Sequence, residues 1–221
     1  MKKTIIILSV MLAANISFAQ MPEKFVKAME ALVPAVDTTH SVDGLSELAN
    51  AFERIANAET NQWLPFYYAA LCNVSAGTMI GSGGDMMSAK SEKTDPYADK
   101  ADALLAKADV LMKDNSEIFI VKKQIATLRM LGDPMNRYMT YGPEAAADLE
   151  EAKKLNPENP RAFLLEGQDK YFTPEQFGGS KEEAKKLFEE AMKKFEAFKP
   201  ESSIHPTWGL SQVKYMMSLM K

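Results

Sequence analysis

The stretch from Tyr141 to Tyr171 limits the possible folds more than any other part of this 221-residue chain. Residues typical of helices flank an Asn-Pro turn at Pro157, which predicts two helices joined by a tight connection. Ala145 and Ala152 lie two helical turns apart, so they share one face of the first helix. Gly167 supplies a small position in the second helix, so the stretch predicts a closely packed helical hairpin.

Pairs of alanines at the same spacing recur along the chain, which indicates that this hairpin is one of several. The four pairs are Ala49 with Ala56, Ala101 with Ala108, Ala145 with Ala152, and Ala184 with Ala191. In three pairs a bulky residue lies 11 positions after the second alanine, as Tyr67, Phe119 and Phe163, whereas the fourth has Ser202 there. One such hairpin cannot bury its apolar face alone, so we predict an all-α fold of about eight or nine helices in stacked hairpins. The alternative is a generic helical bundle in which the alanines fall at these positions by chance.

Apolar residues at helical spacing predict the other helices, and glycine, proline and polar residues predict their ends. These helices cover residues 21–33, 42–58, 63–79, 97–112, 117–131 and 181–198, with a C-terminal capping helix at about 207–221. Ser41 or Asp43, Ser116 and Ser180 are the predicted N-caps. Residues 81–96 predict a long exposed loop, residues 135–140 predict a connector, and Pro143 is placed in the first turn of its helix. Residues 20–221 are predicted to form a single domain.

Residues 1–19 have the pattern of a cleaved secretory signal peptide. Lys2 and Lys3 precede an apolar run from Ile5 to Ala14, and Ser17 and Ala19 are small residues at the positions that a signal peptidase reads. The alternative is a membrane anchor, but the run has only about half of the roughly 20 residues that a spanning helix needs. The sequence therefore predicts a periplasmic or secreted protein with no membrane insertion after cleavage.

The net charge argues against a nucleic-acid partner, and the cysteine count excludes an internal disulfide. Removal of Lys2 and Lys3 changes the formal net charge from −4 to −6, and no basic stripe is present, so nucleic acid is not a predicted partner. Cys72 is the only cysteine, which excludes an internal disulfide. It lies in an apolar helical segment, so we predict a buried, inert thiol.

The hairpin resembles the tetratricopeptide repeat (TPR). The match follows the order and separations of that family at Ala145, Ala152, Leu155, Pro157, Phe163 and Gly167, and it continues at Ala184, Phe188 and Ala191. The first alanines of successive pairs lie 52, 44 and 39 residues apart, above the family's period of about 34, and the loops contain the surplus. The stretch from Asn156 to Ala184 and the later His205–Gly209 segment also look like small exported TPR-like proteins of Bacteroidetes-type bacteria.

The TPR resemblance implies a right-handed superhelix with a concave groove that binds a peptide or protein partner. The residues implied to line this groove are Tyr68, Glu117, Ile120, Gln124, Thr127, Arg161, Leu164, Gln168 and Tyr171. Tyr68, Ile120 and Leu164 stand where TPR domains that grip chaperone C-termini carry a lysine, which argues against that type of ligand. The alternative is a groove filled by the N-terminal helix, the long loop or the C-terminal helix that contains Trp208.

No catalytic group, metal site or cofactor site is predicted. His40 and His205 have no second metal ligand at a suitable spacing, and His205 before Pro206 suits a capping or surface role. We therefore predict a non-enzymatic interaction module. The alternative is a structural subunit that self-associates through edge hairpins. A third hypothesis is a hydrolase or small-ligand binder with a pocket beside Trp63, Tyr67 and Tyr68.

Overall fold

A computed structural model of the chain describes residues 22–83 and 88–220. These residues form nine α-helices: α1 Glu23–Glu30, α2 Val42–Ala58, α3 Trp63–Gly81, α4 Ser91–Leu111, α5 Ser116–Gly132, α6 Pro134–Leu155, α7 Pro160–Phe172, α8 Lys181–Ala197 and α9 Leu210–Ser218. Short 3-10 helices at Val33–Asp37 and Glu175–Phe177 complete the described elements. The predicted signal peptide, residues 1–19, lies outside the described residues. Each described helix is too short or too polar to span a lipid bilayer.

The described helices pack as three successive hairpins, which confirms the predicted all-α fold of helical hairpins. Helix α3 packs on α4, α5 on α6, and α7 on α8, while α2 covers another side of α3. Helix α3 also contacts α5 and is buried along most of its length, as its apolar sequence predicts. The hairpins therefore share one continuous core.

The paired alanines lie on the buried faces of their helices. All eight are buried, and the bulky Tyr67, Phe119 and Phe163 pack in or against the same core. Gly167 is needed for the contact between α7 and α8, because a Cβ atom there would lie 2.6 Å from Cε1 of the buried Phe188. The small-residue pattern thus corresponds to the packing of the hairpins.

Several helix ends lie where local signals place them. Helix α2 has the predicted bounds, and Ser41 Oγ accepts a hydrogen bond from the Gly44 N–H at 3.2 Å. Ser180 Oγ caps α8 through the Glu183 N–H in the same way. The predicted cap Ser116 requires correction, because Asn115 Oδ1 accepts from the Glu117 N–H and Ser116 is the first helical residue.

Two segments predicted to be irregular are helical. Helix α4 begins at Ser91, inside the predicted loop 81–96, and α6 includes the predicted connector 135–140. Both guanidinium ends of Arg137 in α6 donate to the Asp95 carboxylate in α4, at 2.7 and 2.8 Å. This tertiary contact stabilises the first turns of both helices, and the residues next to each helix start do not predict it. Pro96 and Pro143 lie inside these helices, on exposed faces where water can solvate the carbonyls that lose their partners.

Asp148 in α6 makes stability depend on pH. Partial burial raises the pKa of this carboxyl from 3.8 to about 6; Glu144 also raises it, and Lys122 opposes the shift. The folded chain therefore binds this proton more tightly than the unfolded chain, and the contribution of Asp148 to stability rises as pH falls from about 7 to about 4. We expect Asp148→Asn to stabilise the protein at pH 7.5, by at most about 1 kcal/mol because water screens a half-exposed carboxyl, and to give no gain at pH 4.

The measurement is thermal unfolding of both proteins by circular dichroism at pH 7.5 and pH 4. Glu189→Gln is the matched control, since Glu189 is exposed on α8 and loses the same charge on substitution. An equal gain in stability for Asp148→Asn at the two pH values would show that the raised pKa of Asp148 does not cause the pH dependence.

Candidate functional site

The N-terminal ends of α3, α5 and α7 meet at one end of the fold, and the segment 198–209 lies across them. Tyr68 Oη in α3 donates to the Ile204 carbonyl at 2.9 Å, and Trp208 Nε1 donates to Tyr67 Oη at 2.8 Å. The Gly209 N–H donates to Asp37 Oδ1 at 3.0 Å. Residues 198–209, called here the covering segment, are therefore attached both to the hairpins and to the N-terminal region.

A buried ion pair lies beneath the covering segment. Arg161 is fully buried in the first turn of α7, and its Nη1 donates to Glu117 Oε1 in α5 at 3.0 Å. Its Nη2 donates to the Pro206 carbonyl, and its Cζ lies 5.0 Å from the Phe198 ring centroid and 5.2 Å from that of Trp208. Arg161 thus joins α5, α7 and the covering segment, in aromatic surroundings that favour a guanidinium.

Glu117 is the acceptor on which this network converges. Its Oε1 also accepts from Asn159 Nδ2 at 2.8 Å, and its Oε2 accepts from Tyr67 Oη at 2.9 Å. The carboxylate lies in the first turn of α5, where the helix dipole favours negative charge. Burial, followed by the charge of Glu117, raises the pKa of Tyr67, so this phenol stays neutral and acts as a donor.

Asn159 connects the network to the hairpin turns. Its Oδ1 caps α7 by accepting from the Arg161 N–H at 3.0 Å, while its Nδ2 also donates to Ser116 Oγ at 2.9 Å. Ser116 Oγ in turn donates to the Ala152 carbonyl near the end of α6. The starts of α5 and α7 and the end of α6 are thereby held in a fixed relation.

A cavity of about 540 Å³ opens beside this network, and we call it the site cavity. One part of its lining is apolar or aromatic: Trp63, Leu155, Ala197, Phe198 and Pro206. The charged part comprises the lysines Lys194 and Lys199 and the acids Asp114, Glu117, Glu158 and Glu201. The site cavity therefore combines flat apolar surface with cations and carboxylates, a combination that suits an amphipathic small molecule.

His205 lines the site cavity from the covering segment. Its Nδ1 lies 2.7 Å from Ser202 Oγ, its Nε2 lies 3.2 Å from Glu201 Oε2, and its ring meets that of Trp63 edge to face. Burial lowers the pKa of the imidazole, although the Glu201 carboxylate acts in the opposite direction. The imidazole is therefore neutral near pH 7, with one nitrogen able to act as an acceptor or a metal ligand.

The residues predicted to line a groove divide into three groups. Tyr68, Ile120, Arg161 and Leu164 are fully buried, which is a correction, because buried side chains cannot line an open groove. The covering segment contacts Tyr68 and Arg161 directly. Glu117 lines the site cavity. The half-buried members are Gln124, Thr127, Gln168 and Tyr171. The structure thus brings Tyr68, Glu117 and Arg161 together beneath the covering segment and not along an open groove.

Sequence reasoning found only part of the site. The sequence predicts a pocket beside Trp63, which lines the site cavity, but it predicts a capping or surface role for His205, which also lines the cavity. Lys194, Phe198 and Lys199 were not identified. One feature of the sequence indicates this part of the site. Ser202 stands where the other repeats have a bulky residue, and the segment after it contains His205 and Trp208, so this segment departs from the hairpin pattern.

Metal and thiol chemistry have little support among the described residues. Within residues 22–83 and 88–220, no three side chains of the His, Cys, Asp and Glu types are grouped so that they could hold a metal ion. Cys72 is buried, and burial raises the pKa of its thiol to about 12. This agrees with the prediction of an inert thiol.

Comparison with known proteins finds a solved structure that is similar to this chain. No family model matches the chain, so the TPR family itself is not confirmed, and no curated protein sequence matches it either. Among solved structures, the chain is similar to the HusA haemophore from Porphyromonas gingivalis, with a TM-score of 0.76 and 31% sequence identity. The match covers 89% of this chain and 92% of that chain, so it extends over nearly the whole fold.

Proposed function

Since the chain belongs to the same family as the HusA haemophore, we propose that it is an exported carrier that binds haem in the site cavity. The single observation that carries the proposal is this family membership. The site cavity supplies a location for the ligand that agrees with it.

The size and lining of the site cavity suit haem. Haem is a flat apolar macrocycle with two propionates on one edge. Pockets for ligands of this size class measure about 300–1,000 Å³, and the site cavity, at about 540 Å³, lies within that range. Trp63 and Phe198 offer aromatic surface against which a macrocycle can pack.

The charges in the site cavity suggest how haem is oriented. Lys194 and Lys199 lie near the end of α8 and can pair with propionates. Lys194 already pairs with Glu158 at 3.0 Å and lies 4.7 Å from the Phe163 ring centroid, so it is held in place. The carboxylates of Asp114, Glu158 and Glu201 line the same cavity and would repel propionates, so Lys199 would be the residue that pairs with them.

A carrier needs no catalytic group, and we propose that this protein is not an enzyme. The predicted signal peptide at residues 1–19 is consistent with a location outside the cytoplasm. The predicted peptide or protein partner and the alternative of self-association through edge hairpins stay predictions. Gln124, Thr127, Gln168 and Tyr171, which are half-buried, are the residues of the implied groove that keep partial exposure for such a partner.

Filling the site cavity is expected to weaken haem binding without unfolding the protein. Ala197, the last residue of α8, is exposed and lines the cavity, so a tryptophan there occupies the volume without entering the core. Absorbance titration of the wild-type protein with haemin should show saturable binding. We expect Ala197→Trp to weaken this binding at least about tenfold, a loss of about 1.4 kcal/mol.

Ala146→Trp is the matched control, because Ala146 is an exposed residue on α6 outside the cavity. It should bind haemin as the wild-type protein does. Absence of saturable binding to the wild-type protein would refute the function, whereas equal binding by both variants would move the site away from this cavity.

A further inference from the structure

The first half of α6 presents an apolar face that the described residues leave exposed. The buried residues of α6, which are Ala145, Leu149 and Ala152, all lie in its second half. In the first half, Met135, Tyr138 and Met139 are 72%, 54% and 82% exposed. Large apolar side chains that cluster on one exposed helix face are typical of a contact surface.

We propose that two copies of this chain associate through this face, with their α6 helices antiparallel about a two-fold axis at the level of Thr140 and Tyr141. This inference goes beyond the proposed function and does not depend on haem. The contacting residues, called here the α6 stripe, are Met135, Met139, Gly142 and Ala146. Their spacing of four, three and four residues places all of them on one side of the helix.

The α6 stripe is complementary in shape to its own copy. Its bulky residues, Met135 and Met139, come first, and its small residues, Gly142 and Ala146, follow. The two-fold axis lies midway along the stripe, so Met139 of each copy meets Gly142 of the other, and Met135 meets Ala146. A bulky side chain thereby faces a small one at each contact, and a two-fold interface has to be complementary to itself in this way.

The folded chain itself does not require a glycine at position 142. Gly142 lies in the interior of a helix, where glycine is less favourable than alanine. A Cβ atom there would lie 3.5 Å from Tyr138 Cε2 and 3.7 Å from Met130 Sδ, which are ordinary contact distances. Alanine would therefore fit within one chain, whereas the close approach of a second helix gives the missing side chain a reason.

The charges of α6 do not oppose contact between two identical faces. Between Pro134 and Ala147 the charged residues are Arg137 and Glu144. Helical geometry places both on the side opposite the α6 stripe, and Arg137 is paired with Asp95. Identical surfaces that carry a net charge repel each other, so a neutral, apolar face suits a second copy of the chain.

The size of the α6 stripe sets the strength of the dimer. A standard stable interface has about 20–30 residues on each side, and the α6 stripe with its neighbour Tyr138 has far fewer. We therefore expect a weak dimer with a dissociation constant on the order of 10–100 µM. Such a dimer forms where the protein is concentrated and dissociates on dilution.

Sedimentation equilibrium of the purified protein from about 5 to about 500 µM tests the dimer, because the average mass should rise from one chain to two. Met139→Glu places two carboxylates close to the axis and should raise the dissociation constant at least about tenfold. Gly142→Ala adds a methyl group on each side and should raise it at least about threefold. Met139 is 82% exposed, so Met139→Glu should keep the wild-type circular dichroism spectrum and thermal midpoint.

Thr140→Glu is the matched control, since Thr140 is exposed, lies next to Met139 and points away from the α6 stripe. It adds the same charge and should dimerise as the wild-type protein does. Equal weakening by Met139→Glu and Thr140→Glu would mean that net charge, and not the stripe, controls association. A wild-type protein that stays monomeric up to about 500 µM would refute the dimer.

Disulfide cross-linking tests the antiparallel register. The two copies of residue 139 would lie about 4.5 Å apart along the helix axes, and those of residue 135 about 16 Å apart. Oxidation should therefore link Met139→Cys dimers and leave Met135→Cys unlinked, while the buried Cys72 does not compete. Equal linking of both variants, or of neither, would refute this register. Haemin titration tests the proposed function separately, because the α6 stripe does not line the site cavity.

Discussion

Replacement of Arg161 by alanine is expected to lower the free energy of unfolding by about 3 kcal/mol, because it leaves a largely buried carboxylate without its cation. Glu117 keeps hydrogen bonds from Tyr67 and Asn159 but loses its ion pair. The Pro206 carbonyl also loses its donor, and the space between the Phe198 and Trp208 rings is left empty. Urea unfolding followed by circular dichroism measures the change.

Two further variants separate the ion pair from general damage. Arg54→Ala removes an exposed arginine of α2 and should change stability by less than about 0.5 kcal/mol. The double variant Arg161→Met with Glu117→Gln should be less destabilised than Arg161→Ala, because no charge is then left buried and unpaired. A loss of less than about 1 kcal/mol in Arg161→Ala would show that water replaces the guanidinium easily.

Trp208→Ala is expected to cost about 3–5 kcal/mol, the range for removing a large buried aromatic side chain. Trp208 is only 4% exposed, its ring packs against Arg161, and its Nε1 donates to Tyr67. Loss of this side chain also loosens the covering segment, so we expect haemin binding to weaken in the same variant. Urea unfolding and haemin titration measure the two effects.

Trp208→Phe keeps most of the buried ring but removes the indole N–H. We expect a loss of about 1–2 kcal/mol, because the buried Tyr67 Oη loses its donor. Tyr215→Ala is the control, since Tyr215 lies on the nearby α9 and is 63% exposed, and it should be nearly neutral. Equal losses for Trp208→Phe and Trp208→Ala would mean that the hydrogen bond, and not the packing, attaches the segment.

The fold was predictable wherever its signals are local. Alanine spacing gave the hairpins, and Ser41 and Ser180 gave helix starts that the structure reproduces. The starts of α4 and α6 were missed because they depend on a contact between Asp95 and Arg137, 42 residues apart, which overrides the glycines and prolines nearby. Such pairs leave no periodic pattern in either segment.

The site was less predictable than the fold for a related reason. The TPR resemblance placed Glu117 and Arg161 on the inner faces of α5 and α7, and the structure brings them together. The resemblance itself implies an open groove, and only the alternative of a groove filled by the C-terminal helix that contains Trp208 comes near the observed covering by residues 198–209. That segment lies outside the repeat and its contacts are far apart in sequence, so the pattern does not place it over Glu117 and Arg161. The covering of these helix ends is one reason why we propose a small molecule in the site cavity and not a peptide along an open groove.

The sequence separations across the covering segment affect the order in which the chain can fold. Tyr68 and Ile204 are 136 residues apart, Tyr67 and Trp208 141, and Asp37 and Gly209 172. Contacts across such distances close large loops and form late compared with local helical contacts. During synthesis, the hairpins can form while Arg161 and Glu117 are still in water. We therefore expect a nascent chain to stay open at this end, and to complete the proposed ligand site only when residues 198–209 have emerged.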